Sequence, residues 1–386
     1  MRTPIGQLDP AIRDVHIWGG GISGLLMGHA LLARGYRVHL YEKSDRLGGK
    51  LHSLPTPDGV VEEAANAIFA TPETEAWLQG LGLTVLPARP KLKRRLWNGR
   101  PLPPMSLKLL AKLPGLLKAT PSITDDITIA DFFRPWLGDR VENLLTPALQ
   151  GIYGCGADQL TVTSVWPELR AGTYWQALRQ LRSPRARSVS FAGGMSDLVQ
   201  ALAPGIEIHL SHRDPFTLRP NTIICTDAST AAELLRSHWP SGAAALSAIN
   251  YLPLASATVC APTPPLASNT FGFLFPRSAG IHALGVLFQK EIFPNRAGHT
   301  FILPISSGVE SLLTDDQRRL GWPAAPTHVF TWERALPRYD AARSRAVRAL
   351  HDDGKRPAGL VLFGNYVAGI SLRAMAEAAK DFAARS

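Results

Sequence analysis

The stretch D-V-H-I-W-G-G-G-I-S-G-L-L-M-G, residues 14–28, limits the possible folds more than any other part of the chain. Asp14–Trp18 is a short apolar run that ends at Gly19, as a buried parallel strand does. Gly19-x-Gly21-x-x-Gly24 follows at once, then the helical run L-L-M-G-H-A-L-L-A-R-G, which stops at Gly35. Y-R-V-H-L-Y-E supplies a second strand ending in the acid Glu42. Strand, glycine turn, helix, strand and terminal acid arrive in the order of a dinucleotide-binding βαβ unit. Gly19 permits the tight turn and Gly21 lets the backbone approach a pyrophosphate. Gly24 and Gly28 let the helix lie against the strand, so the amides around Ile22 and Ser23 face the phosphates. Glu42 can accept hydrogen bonds from ribose hydroxyls, and its charge repels a 2′-phosphate.

The whole chain suits more than one core. Its 386 residues imply two domains or a discontinuous pair, and 33 Gly with 31 Pro imply many loops. No opening apolar run reads as a secretory signal and no stretch is apolar enough to span a bilayer, so a cytoplasmic location is expected. Cys155, Cys225 and Cys260 are far apart, which suggests neither disulfides nor a zinc site. The net charge of +10, from 41 Lys and Arg against 31 Asp and Glu, suits an anionic membrane surface or an acidic small molecule, or reflects composition alone. No helix-turn-helix, zinc-finger or RNP-like pattern accompanies it, so no nucleic acid is expected. The sequence leaves the oligomeric state open.

The residues after Glu42 select the nucleotide. E-K-S-D-R-L-G-G-K places Lys43, Arg46, the pair Gly48-Gly49 and Lys50 directly beyond the acid. This segment resembles the E-x-x-x-R-x-G-G-R pattern of the superfamily of flavin amine oxidases, phytoene desaturases and protoporphyrinogen oxidases, which bind FAD. A nicotinamide enzyme has no need of the second glycine pair. Lys50 stands where those proteins have arginine, keeping the charge and losing the planar fork.

Later segments resemble the protoporphyrinogen and coproporphyrinogen oxidase branch, in the same order along the chain. They are V-V-E-E-A-A-N-A (60–67), L-W-N-G-R-P-L-P-P (96–104), the helical pattern over 128–169, S-F-A-G-G-M-S-D-L-V-Q-A-L (190–202), the strands within 271–296 and 331–340, and the closing G-N-Y-x-x-G from Gly364 and Asn365. The resemblance implies an α/β fold. A Rossmann-like FAD-binding domain (1–72, 188–247, 356–386) would be interleaved with an α+β substrate domain (73–102, 248–355) and a helical, membrane-binding-like lobe (103–187). It implies an FAD-dependent oxidase that takes a porphyrinogen, with molecular oxygen as acceptor.

Flavin oxidation asks for little side-chain chemistry beyond holding a C–H bond against the ring and excluding water. No triad or metal cluster is therefore expected. Within the resemblance Asn66 orients substrate or ring, or else is a plain turn residue. A backbone amide near Ile370 would face reduced flavin. A porphyrinogen is a large apolar macrocycle with carboxylates, so its slot needs aromatic walls and a cation. Lys93, Arg94 and Arg95 supply cations; strand alternation places Lys93 and Arg95 on one face and Arg94 on the other, with Arg95 preferred. Phe271, Phe273 and Phe275 alternate so as to share a face, which either stacks on the macrocycle or forms plain core.

Residues 101–120 carry Leu107, Leu110, Leu113, Leu116 and Leu117 with Lys108, Lys112 and Lys118 between them. Pro114 is expected to divide the stretch into two short helices. An apolar stripe edged by lysines suits a membrane interface, with Trp97 and Trp136 as candidate anchors. The chain departs from the family around 206–230, where strands are missing and Arg213 or Asp214 stands where a small apolar residue is usual. Ala64 and Ala65 also replace a Gly-Pro pair. The rival readings are an amine oxidase or carotenoid desaturase, and a flavin- or porphyrin-binding paralogue without turnover.

Overall fold

The computed structural model describes residues 3–97, 99–102, 113–169, 171–180, 186–305, 308–323, 325 and 327–386. Its central element is a five-stranded sheet in the order Glu207–His209, Arg37–Tyr41, Asp14–Trp18, Thr222–Ile224 and Leu360–Leu362. All four pairings are parallel. We label Asp14–Trp18 β1, Ile22–Leu32 α1 and Arg37–Tyr41 β2. Parallel neighbours need a crossover, and α1 provides it between β1 and β2. The sheet draws its strands from three separate stretches of chain.

One face of the sheet is covered along its whole width. Val15 and Ile17 of β1, Val38 and Leu40 of β2 and Ile206 pack beneath α1, which is itself held by the helices Ser196–Leu202 and Leu372–Arg385. The other face is covered unevenly. The helices Ala228–Leu235, Pro240–Ser247 and Ala341–Asp352 bury Ile224, Leu360 and Leu362, with Trp18 at the margin. Past β1 that cover stops, so β1 alternates between buried and half-buried residues. The expectation of a buried strand is corrected here to one in which only Val15 and Ile17 are buried. Asp14, His16 and Trp18 are the out-facing, half-buried members of the alternation, with Trp18 packed at the edge of the helical cover and against His212 and Phe216.

A second, mixed sheet of seven strands runs in the order Thr327–Pro337, Tyr251–Val259, His299–Pro304, Gly285–Leu287, Thr270–Leu274, Lys93–Trp97 and Pro101–Leu102. Its core holds Phe273, Phe288, Phe301 and Trp322. His299 lies among these rings at 2% exposure, and neither ring nitrogen finds a partner among the described residues. Burial lowers its pKa from 6.5 to about 4. The unfolded chain therefore takes up a proton near pH 6.5 that the native state refuses until about pH 4. Stability from this group is complete above pH 6.5 and is lost as pH falls, a span worth roughly 3 kcal/mol. Urea unfolding at pH 7 and pH 4.5 should show a steeper acid loss in the parent protein than in His299→Phe; equal slopes would contradict the assignment.

Short helices over 129–180 enclose a third core with Phe132, Phe133, Leu137 and Tyr174. Thr128 caps the first of them by accepting from Asp131 N at 3.0 Å. Pro114 lies in the 3₁₀ turn Leu113–Leu117, and the stretch before it, where the first of the two expected helices falls, is outside the described residues. Residues 103–112, with Leu107, Lys108, Leu110 and Lys112 of the proposed stripe, lie outside the described residues. Leu116 is buried in the helical core, whereas Leu117 is 76% exposed. Neither tryptophan is a free anchor. Trp97 packs on Phe273, and Trp136 lies over Gly115 and beside Tyr174. No helix among the described residues is long and apolar enough to cross a membrane.

Candidate functional site

The glycine turn is built as its sequence implies. Gly19 has φ +109°, a conformation that glycine tolerates, and its amide donates to Tyr41 O at 2.9 Å. A Cβ at Gly24 would stand 2.1 Å from Gly19 O, and one at Gly28 would stand 2.9 Å from Ile206 Cδ1. These two glycines bring α1 down onto the sheet. A Cβ at Gly21 would meet nothing within 4 Å, so the turn is open on the side where Gly21 begins α1. Gly21 offers no side-chain cap, which leaves the amides of Ile22 and Ser23 at an uncapped helix start.

Glu42 faces this turn. Its Oε2 accepts from Gly20 N at 2.7 Å, and its Oε1 accepts from Ser44 N and Ser44 Oγ, each at 2.8 Å. The second glycine pair closes on the first, with Gly48 N donating to Gly20 O at 2.8 Å. Arg46 donates to Gly49 O at 2.9 Å and pairs with Glu63 at 3.3 Å, while Lys43 is exposed. Lys50 reaches across to the long strand of the second sheet, donating to Arg334 O and, at 2.9 Å, to Ala335 O. Burial there lowers its pKa to about 8.

The closing motif returns to the same place. Gly364 precedes a short helix, Asn365–Ala368; Gly369 has φ +103°, and Ile370 packs against the helical core. On the helix that follows, Met375 Sδ lies 3.6 Å from Ser23 Oγ at the start of α1. The turn, the Arg46–Lys50 segment and the segment around Gly364 are thus gathered at one end of the parallel sheet. That is the end at which open α/β sheets hold nucleotides.

Asn66 bridges this end to the second sheet. Its Nδ2 donates to Ala64 O at 3.1 Å, the contact of a turn residue, and its Oδ1 accepts from Gln289 Nε2 at 2.5 Å. Gln289 is 2% exposed, and its own Oε1 has no partner among the described residues. Phe288, next to it, donates its amide to Phe271 O at 3.1 Å. The Arg94 guanidinium lies over the Phe271 ring at 4.8 Å. Arg95 is half-buried and Lys93 exposed, so Arg94, and not the preferred Arg95, is the cation set on an aromatic face.

Phe273 is corrected as a substrate contact. It is 1% exposed and packed among Trp97, Phe288 and Trp322, with no surface left to offer a ligand. Phe271 does not share its environment, because the register against Lys93–Trp97 shifts between Thr270 and Gly272 and leaves Phe271 as the extra residue. Arg213 and Asp214 are both exposed on the loop between Glu207–His209 and Thr222–Ile224.

Sequence reasoning missed a fully buried ion pair. Arg296 Nη2 lies 2.8 Å from Glu62 Oε1, with side-chain exposures of 0% and 1%. Glu62 also accepts from Ser53 Oγ at 2.6 Å and Met195 N at 2.9 Å, and Arg296 donates to Ser190 Oγ. The only signal was an acid in the V-V-E-E segment and an arginine in F-P-N-R, with nothing local to join them.

The flavin-containing amine oxidoreductase family profile matches residues 22–213. A chloroplastic protoporphyrinogen oxidase 1 of Spinacia oleracea is 27% identical across 97% of this chain and 84% of its own length. A coproporphyrinogen III oxidase of Propionibacterium freudenreichii is 25% identical across 83% of this chain and 80% of its own. A crystal structure from an Exiguobacterium species, provisionally described as a protoporphyrinogen oxidase, superposes with a TM-score of 0.77 at 19% identity, covering 98% of this chain and 99% of that one. This last likeness concerns the fold alone. The chain is therefore an FAD-dependent oxidoreductase that is similar, over residues 22–213, to the flavin-containing amine oxidoreductases.

Proposed function

We propose that the protein oxidises a porphyrinogen, protoporphyrinogen IX or coproporphyrinogen III, to the corresponding porphyrin. The observation that carries this reading is the similarity to a protoporphyrinogen oxidase along 97% of the chain. FAD supplies, when bound, the hydride acceptor for each two-electron step, and oxygen takes the pair onward to hydrogen peroxide. Residues 1–72, 188–247 and 356–386 form the FAD-binding unit in this reading. Gly19, Gly21 and the amides of Ile22 and Ser23 hold the diphosphate, and Glu42 orients the ribose. Arg46, Gly48, Gly49 and Lys50 line the approach to the ring, and Gly364 to Ile370 close over it. Asn66, fixed by Gln289, positions the macrocycle, while Arg94 on Phe271 receives a propionate. The basic excess and exposed Leu117 beside Lys118 support a peripheral contact with an anionic membrane through 101–120.

The test is anaerobic. Purified yellow protein mixed with either porphyrinogen should lose its oxidised-flavin absorbance and develop porphyrin fluorescence. Bleaching by an amine alone would favour the amine oxidase rival. A flavin loaded but bleached by none of these substrates would favour a paralogue without turnover. Lys50 supports that second reading, since its ammonium is already engaged by two backbone carbonyls. Glu42→Gln should keep an acceptor for Gly20 N yet weaken FAD binding about tenfold, in line with charge-assisted hydrogen bonds worth about 1.5–3 kcal/mol. An unchanged FAD affinity would remove Glu42 from the cofactor site.

A further inference from the structure

The sheet face beyond the helical cover carries polar rings. The register sets His16 beside His39 and His39 beside Glu207; one step on, it sets Trp18 beside Tyr41 and Tyr41 beside His209. These side chains all stand on the out-facing side of their strands, because the alternate residues Ile17, Leu40 and Ile208 pack in the core below α1. The frame is rigid, since each group sits on a hydrogen-bonded strand and the rings stack. The His16 and His39 centroids are 5.0 Å apart, and those of Tyr41 and His209 are 4.9 Å apart.

Three of these groups converge. Glu207 Oε2 is 3.1 Å from His39 Nδ1, and Glu207 Oε1 is 3.2 Å from His209 Nε2. The ligand atoms of all three lie within 4.8 Å of one another. A tetrahedral zinc ion with bonds of about 2.05 Å sets its ligands about 3.3 Å apart, so small side-chain rotations must draw both imidazoles onto one oxygen of Glu207, since each now faces a different one. Behind His39, Asp14 Oδ1 lies 3.4 Å from Nε2, the carboxylate that orients a ligating imidazole from its far side. Side-chain exposures of 17% for His39, 37% for His209 and 55% for Glu207 leave a path for entry and a position for water.

We infer that His39, Glu207 and His209 form a binding site for a divalent transition-metal ion of the zinc class, with Asp14 as the orienting carboxylate. Two imidazoles and one carboxylate suit zinc, copper or nickel better than magnesium or calcium. The other convergent set among the described residues, His282, Asp315 and Asp316, is already satisfied. Asp316 accepts the amides of His282 and Ala283, each at 2.8 Å, and Asp315 is paired with Arg318 and Arg319. The site lies outside the proposed oxidation chemistry and does not depend on which substrate the flavin oxidises.

The test uses FAD-loaded protein without a polyhistidine tag, stripped with a chelator and titrated with zinc against a chromogenic indicator. One zinc equivalent should bind, and cobalt in its place should give the intense visible bands of a four-coordinate site. His209→Ala and Glu207→Gln should each lower zinc affinity at least tenfold, and Asp14→Asn about tenfold, with flavin absorbance and thermal midpoint retained. His282→Ala should bind as the parent does. The inference is overturned if no saturable zinc binding is found, or if folded His209→Ala and Glu207→Gln bind as tightly as the parent. It is equally overturned if His282→Ala alone abolishes binding.

Discussion

Glu62→Gln should lower the stability of the protein by about 3–5 kcal/mol, the cost of leaving a buried charge without its partner. Arg296 is fully buried, and its Nε and Nη1 already lack partners among the described residues. The carboxylate of Glu62 is therefore its main compensation. Burial pushes Glu62 up and Arg296 down, each toward its neutral form, and their mutual attraction opposes both shifts. The pair also ties three pieces of chain together. Glu62 ends the hairpin strand Gly59–Glu62, Met195 N comes from the returning glycine turn, and Arg296 comes from the second-sheet unit. Arg296→Met alone should be similarly costly, whereas Glu62→Gln with Arg296→Met should recover most of the loss, because the double variant buries no charge and the amide oxygen still accepts from Met195 N. Urea midpoints of the three variants complete the cycle. A single-variant cost below about 1 kcal/mol would mean that water reaches the pair.

Gly24→Val and Gly21→Ala should separate folding from cofactor binding. At Gly24 the added carbon would press on Gly19 O at 2.1 Å and Ile17 Cγ2 at 3.3 Å. The first of these is backbone in the turn and cannot swing aside, so α1 must lift from β1. A loss beyond about 3 kcal/mol is expected, together with colourless protein. Gly21 has φ −69°, which alanine adopts without strain, and the space around its Cβ is empty. Gly21→Ala should therefore leave the thermal midpoint of flavin-free protein within a few degrees of the parent, yet bind FAD at least tenfold more weakly. If Gly21→Ala binds FAD normally, the diphosphate does not approach this turn.

The parts of the fold legible in the sequence are those written locally. The order of β1, turn, α1, β2 and Glu42 needs only the spacing of glycines and apolar residues, and the structure assembles it without change. The open sheet face was written there too. Asp14, His16 and Trp18 alternate with Val15 and Ile17, the mark of a strand covered on one side, inside what is otherwise a short apolar run. Phe271 and Phe273 follow the alternation rule on paper. The shift of register beside Phe271 breaks that rule, because Phe271 is an extra residue opposite Lys93–Arg94 and the pairing that exposes it is made by a distant strand. Glu62 and Arg296, like Asn66 and Gln289, meet only because distant segments fold together, so no window of sequence contains the pairing. Lys50 looked like a substitute for arginine at a phosphate, and only the placement of the long strand Thr327–Pro337 shows the carbonyls that hold it.

The parallel sheet completes itself late. Thr222–Ile224 pairs with β1 on one side, and its other edge is filled by Leu360–Leu362. Between them in sequence lie five of the seven strands of the second sheet. A nascent chain leaving the ribosome must therefore carry an unpaired apolar edge throughout the synthesis of that unit, and unpaired edges invite association with other chains. Expression of this protein should accordingly respond to translation speed and to chaperone supply more than its final stability would suggest.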